Sequence, residues 1–161
     1  MEMTEPTVHV VDDDASFLVA MARLLRASGH AVKTYASANE FLAQRNTEEA
    51  GCVVVDLRMP EVDGLDLQAA LARSGNPLPV LFLTGHADTA STVQAMRGGA
   101  EDFLEKRAPK AALLDAVQRA LARDAGERQT RVRQQELRSR FETISTRERE
   151  VLGLVLLGRL N

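Results

Sequence analysis

Cysteine and long apolar runs are scarce in this sequence of 161 residues. With a single cysteine, Cys52, the chain cannot form an internal disulfide, and because Cys52 begins an apolar run we interpret it as a buried packing residue. No stretch approaches the ~20 apolar residues that a membrane-spanning helix needs. The segment MEMTEP lacks the basic and apolar regions of a secretory signal. These absences exclude disulfide-rich secreted and membrane-spanning classes, and they predict a soluble protein of the reducing cytoplasm.

Charge is unevenly distributed along the chain, although the net charge is only −3. Residues 1–107 contain 16 acidic and 9 basic side chains, a net of −7, whereas residues 108–161 contain 7 acidic and 11 basic side chains, a net of +4. A basic segment attracts phosphate backbones, but the same bases also suit the solvated face of a helix. Charge alone therefore leaves nucleic-acid binding open.

Short apolar runs alternate with segments of helical periodicity. The runs predict strands at Val8–Val11, Ala31–Tyr35, Cys52–Leu57, Val80–Thr84 and Asp102–Glu105. The amphipathic segments predict helices at Ala15–Ser28, Ala38–Gln44, Asp63–Ser74 and Thr89–Gly98. Ser37 and Glu40 form a capping-box pattern, and Gly29 and Gly98 follow helices. The alternation predicts an α/β fold, in which helices cover both faces of a parallel sheet.

The pattern changes from about Ala108 to one long helical stretch. Its middle is very polar, which favours a solvated connecting helix with a thin apolar stripe that can pair weakly with a second copy. Ser145 and Glu148 form another capping-box pattern at the start of a new helix. The apolar face of that helix consists of Val151, Leu152, Val155 and Leu156. A lone helix with such a face is not a domain, so we expect the start of an incomplete one.

Polar side chains occur where four of the predicted strands end. Asp12 and Asp13 follow the first strand, Asp56 closes the third, Thr84 closes the fourth, and Lys106 follows the fifth. Open parallel sheets build their sites at the carboxyl ends of the strands, so these side chains are predicted to converge. A carboxylate at the end of a buried apolar run is costly unless it is compensated, and Asp56 is therefore difficult to explain as loop polarity.

The chemistry of these groups favours phosphoryl transfer. Converging carboxylates repel each other unless a cation joins them or some take up protons, and an all-oxygen site favours a hard cation such as Mg²⁺. Beside such a metal, Asp56 can act as a nucleophile that forms an aspartyl phosphate. Lys106 offers a positive charge to a phosphate oxygen, and Thr84 offers a hydroxyl. Nearby, Asp14 is expected to be a helix N-cap and His86 a polar loop residue.

Three segments resemble the receiver domain of two-component response regulators, within residues 6–123. They are VVDDD, VVVDLRMPEVDGLDL and PVLFLTGHADTASTVQAMRGGAEDFLEK. The segment STREREVLGLVLLGRLN is similar to the beginning of the DNA-binding module of LuxR and FixJ-type regulators, and the TGH motif with the long linker is most similar to the FixJ and StyR group. The resemblance implies a flavodoxin-like sheet in the order 2-1-3-4-5. It divides the chain into a receiver at 1–123, a linker helix at 124–143 and an incomplete helix-turn-helix domain at 144–161.

The resemblance implies a phosphoacceptor switch that catalyses only its own phosphorylation and dephosphorylation. A sensor histidine kinase would donate the phosphoryl group to Asp56. The family's magnesium ligands correspond to Asp13, Asp56 and the backbone carbonyl of Arg58, with Asp12 acting mainly through water. Phosphorylation then moves Thr84 toward the phosphoryl group.

The same resemblance implies an output. The aromatic side chain at Phe103 turns inward in the phosphorylated family members, and the surface of the fourth helix and fifth strand becomes a homodimer face. The full-length protein would then bind DNA through its C-terminal domain, which residues 144–161 only begin. No membrane partner is expected.

The chain departs from the family pattern at Arg107, because the family's lysine is normally followed by proline, usually with a cis bond. Before a non-proline residue a cis bond costs roughly 2.5–4 kcal/mol. We therefore predict a trans bond between Lys106 and Arg107, with Lys106 still reaching Asp56. Pro109 is predicted to occupy the first position of the following helix.

Three other functions stay open from the residues. The segment VVDDDAS loosely resembles the nucleophilic Asp-x-Asp segment of phosphatases of the haloacid dehalogenase type, but a phosphatase function would leave Asp56 unexplained. A flavin-binding flavodoxin-like protein would need Ser, Thr and Gly in the loop after the first strand, where this chain has aspartates. A pseudo-receiver would bind partners without accepting phosphate.

Overall fold

The computed structural model describes residues 4–158, and the predicted alternation of strands and helices is confirmed there. In chain order the elements are strand β1 (Thr7–Val11), helix α1 (Ala15–Ala27), β2 (Ala31–Tyr35), α2 (Ala38–Gln44), β3 (Gly51–Val55), α3 (Gly64–Ala72), β4 (Val80–Thr84), α4 (Thr89–Arg97), β5 (Asp102–Glu105), α5 (Lys110–Thr143) and α6 (Thr146–Leu156). The chain divides into two compact units, with the boundary between Ala125 and Gly126. In the part of the chain that is described, no helix combines the length and apolar character required to cross a membrane.

The strands form a parallel sheet in the predicted order, β2-β1-β3-β4-β5. Val11 at the end of β1 is in register with Val55 at the end of β3, and Val55 is in register with Phe82 of β4. The chain leaves β3 beside the end of β1, because the Asp56 N–H still donates to the Val11 carbonyl at 3.0 Å. The carboxylates that follow these two central strands are therefore neighbours at one edge of the sheet.

The core lies on both faces of the sheet. On one face Val10 and Leu81 pack among residues of α1 and α5, and on the other Val11 and Phe82 pack among residues of α2, α3 and α4. Each such side chain contributes about 1.5–3 kcal/mol through burial. Cys52 is fully buried in the first of these clusters, and burial raises the pKa of its thiol to about 12. The predicted packing role of Cys52 is thereby confirmed.

Several predicted boundaries differ from the structure by one or two residues, and two of them concern the site and the helix that follows it. β3 ends at Val55, so Asp56 is the first residue after the strand and not its last, because the chain turns there into the loop that carries the site. α5 begins at Lys110, so Pro109 precedes the helix instead of occupying its first position. The Pro109 carbonyl accepts the first helical hydrogen bonds, from the N–H groups of Ala112 and Leu113. A residue that lacks an N–H is compatible with either position.

The predicted helix caps are present, although one of them is incomplete. The Ser37 hydroxyl accepts from the Glu40 N–H, but the Glu40 carboxylate accepts from the N–H of Ala36, so half of the capping box forms. After α4 the left-handed backbone occurs at Gly99, with φ of 92°, whereas Gly98 keeps a helical φ of −73°. Gly98 is nevertheless the C-cap of α4, since its N–H donates to the Gln94 carbonyl at 2.9 Å, and the predicted C-terminal cap is confirmed.

The second unit contains the end of α5 and α6. The predicted capping box at Ser145 is present, since its hydroxyl accepts from the Glu148 N–H and the Glu148 carboxylate accepts from the Ser145 N–H. Arg149 donates to the Phe141 carbonyl at 3.2 Å and lies 5.1 Å from the centre of the Phe141 ring. The predicted apolar face of α6 is exposed within this unit: Val151, Leu152, Val155 and Leu156.

Candidate functional site

Four of the five predicted polar residues lie close together at one edge of the sheet. One carboxylate oxygen from each of Asp12, Asp13 and Asp56 lies within 4.8 Å of the other two. The Lys106 Nζ lies 2.6 Å from Asp12 Oδ2 and 3.4 Å from Asp56 Oδ2. The structure therefore combines three carboxylates and one ammonium group at the carboxyl edge of the sheet.

Lys106 reaches this cluster from the far side of β4. Its backbone N–H donates to the Thr84 carbonyl at 2.8 Å, which holds the chain beside β4 after β5 has ended. Its ammonium group lies 4.2 Å from the centre of the Phe17 ring, a distance suited to a cation–π interaction. Phe17 is a site residue that the sequence reasoning missed. Its signal was an aromatic residue in the first turn of the helix after Asp12 and Asp13.

Burial disfavours the charged forms of both Asp12 and Lys106, and the ion pair between them offsets part of that cost. Asp12 is 1% exposed, and burial raises the pKa of its carboxyl, although Lys106 and the Asp14 N–H, which donates to Asp12 Oδ1 at 2.9 Å, oppose that rise. Burial alone would lower the pKa of the Lys106 ammonium, but Asp12 and Asp56 outweigh burial and raise it. Lys106 therefore stays protonated at neutral pH and offsets part of the carboxylate charge.

The donor set fits a hard divalent cation. Three carboxylates with a single lysine leave excess negative charge, and all the candidate ligand atoms are oxygens, which Mg²⁺ prefers. Asp13 is exposed and Asp56 is partly buried, so both face a region that water can enter. Arg58 follows two residues later, and its side chain points to Asp88. A ligand role for its backbone carbonyl stays a prediction.

Thr84 and Phe103 lie near the site in ways that leave their predicted switch roles untested. Thr84 is 2% exposed, and its hydroxyl contacts the backbone N–H and carbonyl of His86 at 3.4 Å and 3.5 Å. Phe103 is partly buried and stacks on Phe82, with ring centres 5.6 Å apart and planes 24° apart. Both side chains therefore lie on the β4 and β5 side of the cluster.

The departure at Arg107 is accommodated as predicted. Residues 4–158 contain no cis peptide bond, so the bond between Lys106 and Arg107 is trans. A turn follows β5, in which the Ala108 N–H donates to the Glu105 carbonyl at 2.9 Å, and the Arg107 guanidinium pairs with the Glu105 carboxylate at 2.7 Å. Because Lys106 still lies 3.4 Å from Asp56, this prediction is confirmed.

Residues 8–118 match the family of response regulator receiver domains. The response regulator protein TodT of Pseudomonas putida is 38% identical over 154 residues, which cover 96% of this chain and 68% of TodT. Nodulation protein W of Bradyrhizobium diazoefficiens is 42% identical over a region that covers 98% of this chain and 70% of nodulation protein W. The transcriptional regulatory protein FixJ of Azorhizobium caulinodans is 40% identical over a region that covers 96% of this chain and 73% of FixJ.

Solved structures agree with these relatives. The response regulator StyR superposes with a TM-score of 0.89 and 41% identity, covering 98% of this chain and 79% of StyR. Full-length FixJ from B. japonicum gives a TM-score of 0.71 with 33% identity, covering 97% of this chain and 77% of FixJ. The sheet order, the matched family and these relatives agree, and the chain belongs to the two-component response regulators, whose receiver domain it carries.

Proposed function

We propose that this response regulator accepts a phosphoryl group on Asp56 from a sensor histidine kinase, and that the modification controls transcription. The observation that carries the proposal is the contact set of Asp56. Its carboxylate lies 3.4 Å from the Lys106 ammonium and beside the carboxylates of Asp12 and Asp13. A nucleophile, a cation for the phosphoryl oxygens and a metal-binding donor set therefore occupy one edge of the sheet.

In the proposed reaction an oxygen of the Asp56 carboxylate attacks the phosphorus of a phosphohistidine. The new O–P bond forms as the P–N bond breaks, and the released imidazole takes up a proton. Lys106 pairs with a phosphoryl oxygen and so stabilises the charge that develops in transfer. Mg²⁺, when bound by Asp13, Asp56 and the Arg58 carbonyl with Asp12 acting through water, supplies further neutralisation of that charge. Attack of water on the phosphorus breaks the O–P bond, releases inorganic phosphate and restores the Asp56 carboxylate.

The switch is proposed to pass through Thr84 and Phe103. The Thr84 hydroxyl now makes only long contacts to His86, at 3.4 Å and 3.5 Å, so little has to be broken for it to turn toward a phosphoryl oxygen. Movement of Thr84 at the end of β4 leaves room for Phe103 on the neighbouring strand to turn inward. The surface formed by α4 and β5 would then pair with a second copy.

The output is proposed to be DNA binding by the full-length protein in the cytoplasm, where kinase and DNA are both accessible. Residues 108–161 carry a net charge of +4, and residues 144–161 resemble the first helix of a helix-turn-helix module. Positive charge attracts the phosphate backbone, whereas sequence readout needs a recognition helix in the major groove. We therefore expect specific DNA binding by the full-length regulator and not by residues 1–161.

The test is the intact mass of the protein after incubation with acetyl phosphate and Mg²⁺. We expect one phosphoryl group on the wild type and none on Asp56→Asn. Asp14→Asn is the matched control, because Asp14 caps α1 and asparagine caps a helix equally well. A phosphoryl group that persists on Asp56→Asn would favour the phosphatase alternative, with Asp12 as nucleophile. A wild type that never gains the mass would favour a pseudo-receiver.

A further inference from the structure

An ion pair joins the loop after β3 to the start of α4. Arg58 Nη2 donates to Asp88 Oδ2 at 3.3 Å. Arg58 stands two residues beyond Asp56, and Asp88 stands four residues beyond Thr84. β3 and β4 are adjacent strands, so the pair connects the two loops that border the proposed phosphoacceptor site.

Asp88 uses its two carboxylate oxygens for different purposes. Oδ1 caps α4 by accepting from the Ser91 N–H at 2.8 Å, and Oδ2 holds Arg58. The Ser91 N–H first, and Arg58 to a smaller degree, lower the pKa of the Asp88 carboxyl, which keeps it ionised at neutral pH. Because the cap does not involve Arg58, α4 can lose the ion pair and remain capped.

The rest of α4 is held loosely. Among the residues of α4, all of which are described, Ala95 is the one buried side chain, whereas Val93 and Met96 are 43% and 45% exposed. From α3, the Gln68 amide donates to the Ala95 carbonyl at 2.8 Å. The Arg58 pair adds a second attachment at the opposite, N-terminal end of α4. Loss of that attachment would free the end of α4 that follows the Thr84 loop.

We propose that the Arg58 guanidinium is a second cation for the phosphoryl group on Asp56, and that it reaches this group by leaving Asp88. The inference rests on the proposed function and adds a residue to its site. Arg58 is then a latch on α4 in the unmodified protein and a phosphoryl ligand in the modified one.

Charge and geometry favour this exchange. A phosphoryl group carries about two negative charges and three acceptor oxygens, whereas Asp88 offers Arg58 one oxygen and a single charge. Guanidinium groups bind phosphate through two parallel hydrogen bonds, which the present single contact does not provide. The Arg58 side chain is 70% exposed, so it can change direction without opening the core. Its backbone carbonyl, the proposed metal ligand, is not altered by side-chain substitution.

The test measures the initial rate of phosphorylation by acetyl phosphate with Mg²⁺, by intact mass, in Arg58→Gln, Asp88→Asn and the double variant. Asp88→Asn keeps the helix cap but releases Arg58, so we expect faster phosphorylation, by up to about fivefold, the ratio that corresponds to an exposed ion pair. Arg58→Gln should be slower than the wild type, and the double variant should equal Arg58→Gln. Lys33→Gln breaks an exposed ion pair with Glu49 and serves as the matched control, with an unchanged rate.

Hydrogen exchange of α4 supplies an independent measurement. In the unmodified protein the amides of residues 92–97 should exchange faster in both single variants than in the wild type, and phosphorylated wild type should show the same increase. Rate changes of the same sign in Arg58→Gln and Asp88→Asn, or unchanged exchange in both, would overturn the inference while the wild type still gains its phosphoryl mass. A wild type that is never phosphorylated would overturn the proposed function and the inference together.

Discussion

Lys106 lies closer to Asp12 than to Asp56, with its Nζ at 2.6 Å and 3.4 Å from the two carboxylates. Asp12 is the most buried of the clustered carboxylates, so the lysine offsets the charge that water solvates least. Lys106 therefore occupies the carboxylate cluster that the proposed Mg²⁺ would bind. The ammonium group and the metal ion are expected to oppose each other electrostatically.

Removal of the Lys106 charge should strengthen metal binding and weaken phosphorylation. In Lys106→Met the carboxylates lose their nearby positive charge, so we expect several-fold tighter Mg²⁺ binding by calorimetry. The same variant should be phosphorylated several-fold more slowly by acetyl phosphate, because a cation for the phosphoryl oxygens is missing. Lys33→Met, which alters an exposed lysine on β2, is the control. Weaker Mg²⁺ binding in Lys106→Met would contradict the proposed competition.

The two aspartates after β1 should contribute unequally to metal binding. Asp12 is already engaged by Lys106 and by the Asp14 N–H, whereas Asp13 is exposed. We therefore expect Asp13→Asn to lower the Mg²⁺ affinity more than Asp12→Asn, because Asp13 is a direct ligand in the proposed site, whereas the Asp12 carboxylate is already neutralised by Lys106 and acts on the metal through water. Calorimetric titration of both variants at one pH measures the difference, and equal losses would argue against a direct ligand role for Asp13.

The buried His9 should make the receiver less stable in mild acid. His9 is fully buried, its Nδ1 lies 3.1 Å from the Tyr35 hydroxyl, and its Nε2 lies 3.9 Å from Glu49. Burial first, with Lys33 and Arg45 adding to it and Glu49 opposing, lowers the pKa of His9 from 6.5 to about 4.

The sign of this effect follows from proton uptake. Between pH 6.5 and 4 the unfolded chain binds a proton at His9 that the folded protein excludes, so the free energy of unfolding falls as the pH falls. The loss amounts to about 3 kcal/mol across this range, because each pKa unit corresponds to about 1.4 kcal/mol. The free energy of unfolding, measured with urea at several pH values, should depend less on pH in His9→Leu than in the wild type. An unchanged pH dependence of the free energy of unfolding in His9→Leu would contradict the assignment.

Gly64 should be intolerant of a side chain for a reason that concerns Asp56 directly. A Cβ at this position would lie 2.5 Å from the Asp56 carbonyl oxygen and 2.9 Å from a ring carbon of Phe82. We expect Gly64→Ala to lower the free energy of unfolding by about 1–3 kcal/mol and to slow phosphorylation by displacing the Asp56 loop. Gly75→Ala is the control, because nothing lies within 4 Å of its Cβ position. Equal stability of the two variants in urea would contradict this close packing.

Element boundaries were largely predictable because their signals are local. β2, α2, β4 and β5 begin and end at the predicted residues. Runs of branched residues, helical periodicity and N-caps act over a few neighbouring positions, so the sequence alone contains them. The errors at Pro109 and at the C-terminal end of α1 were of one residue, because several adjacent positions satisfy the same local rule.

The sequence by itself determined which residues of the cluster meet. Asp12, Asp56 and Lys106 each stand beside a strand end, and parallel strands place those ends at one edge of the sheet. Only the tertiary structure decided which of these groups pair. Phe17 of α1 lies beneath the Lys106 ammonium group, and in this position the ammonium group lies closest to Asp12.

The same division holds away from the cluster. The sequence of β1 shows a histidine, His9, within an apolar run. Its burial, however, depends on Tyr35 of β2 and Phe41 of α2, whose rings contact it. The pairing of Arg58 with Asp88 likewise depends on two loops that meet only after β3 and β4 are paired. Local patterns therefore determined the elements and the candidate residues, whereas side-chain partners from distant segments were decided by packing, which no single segment contains.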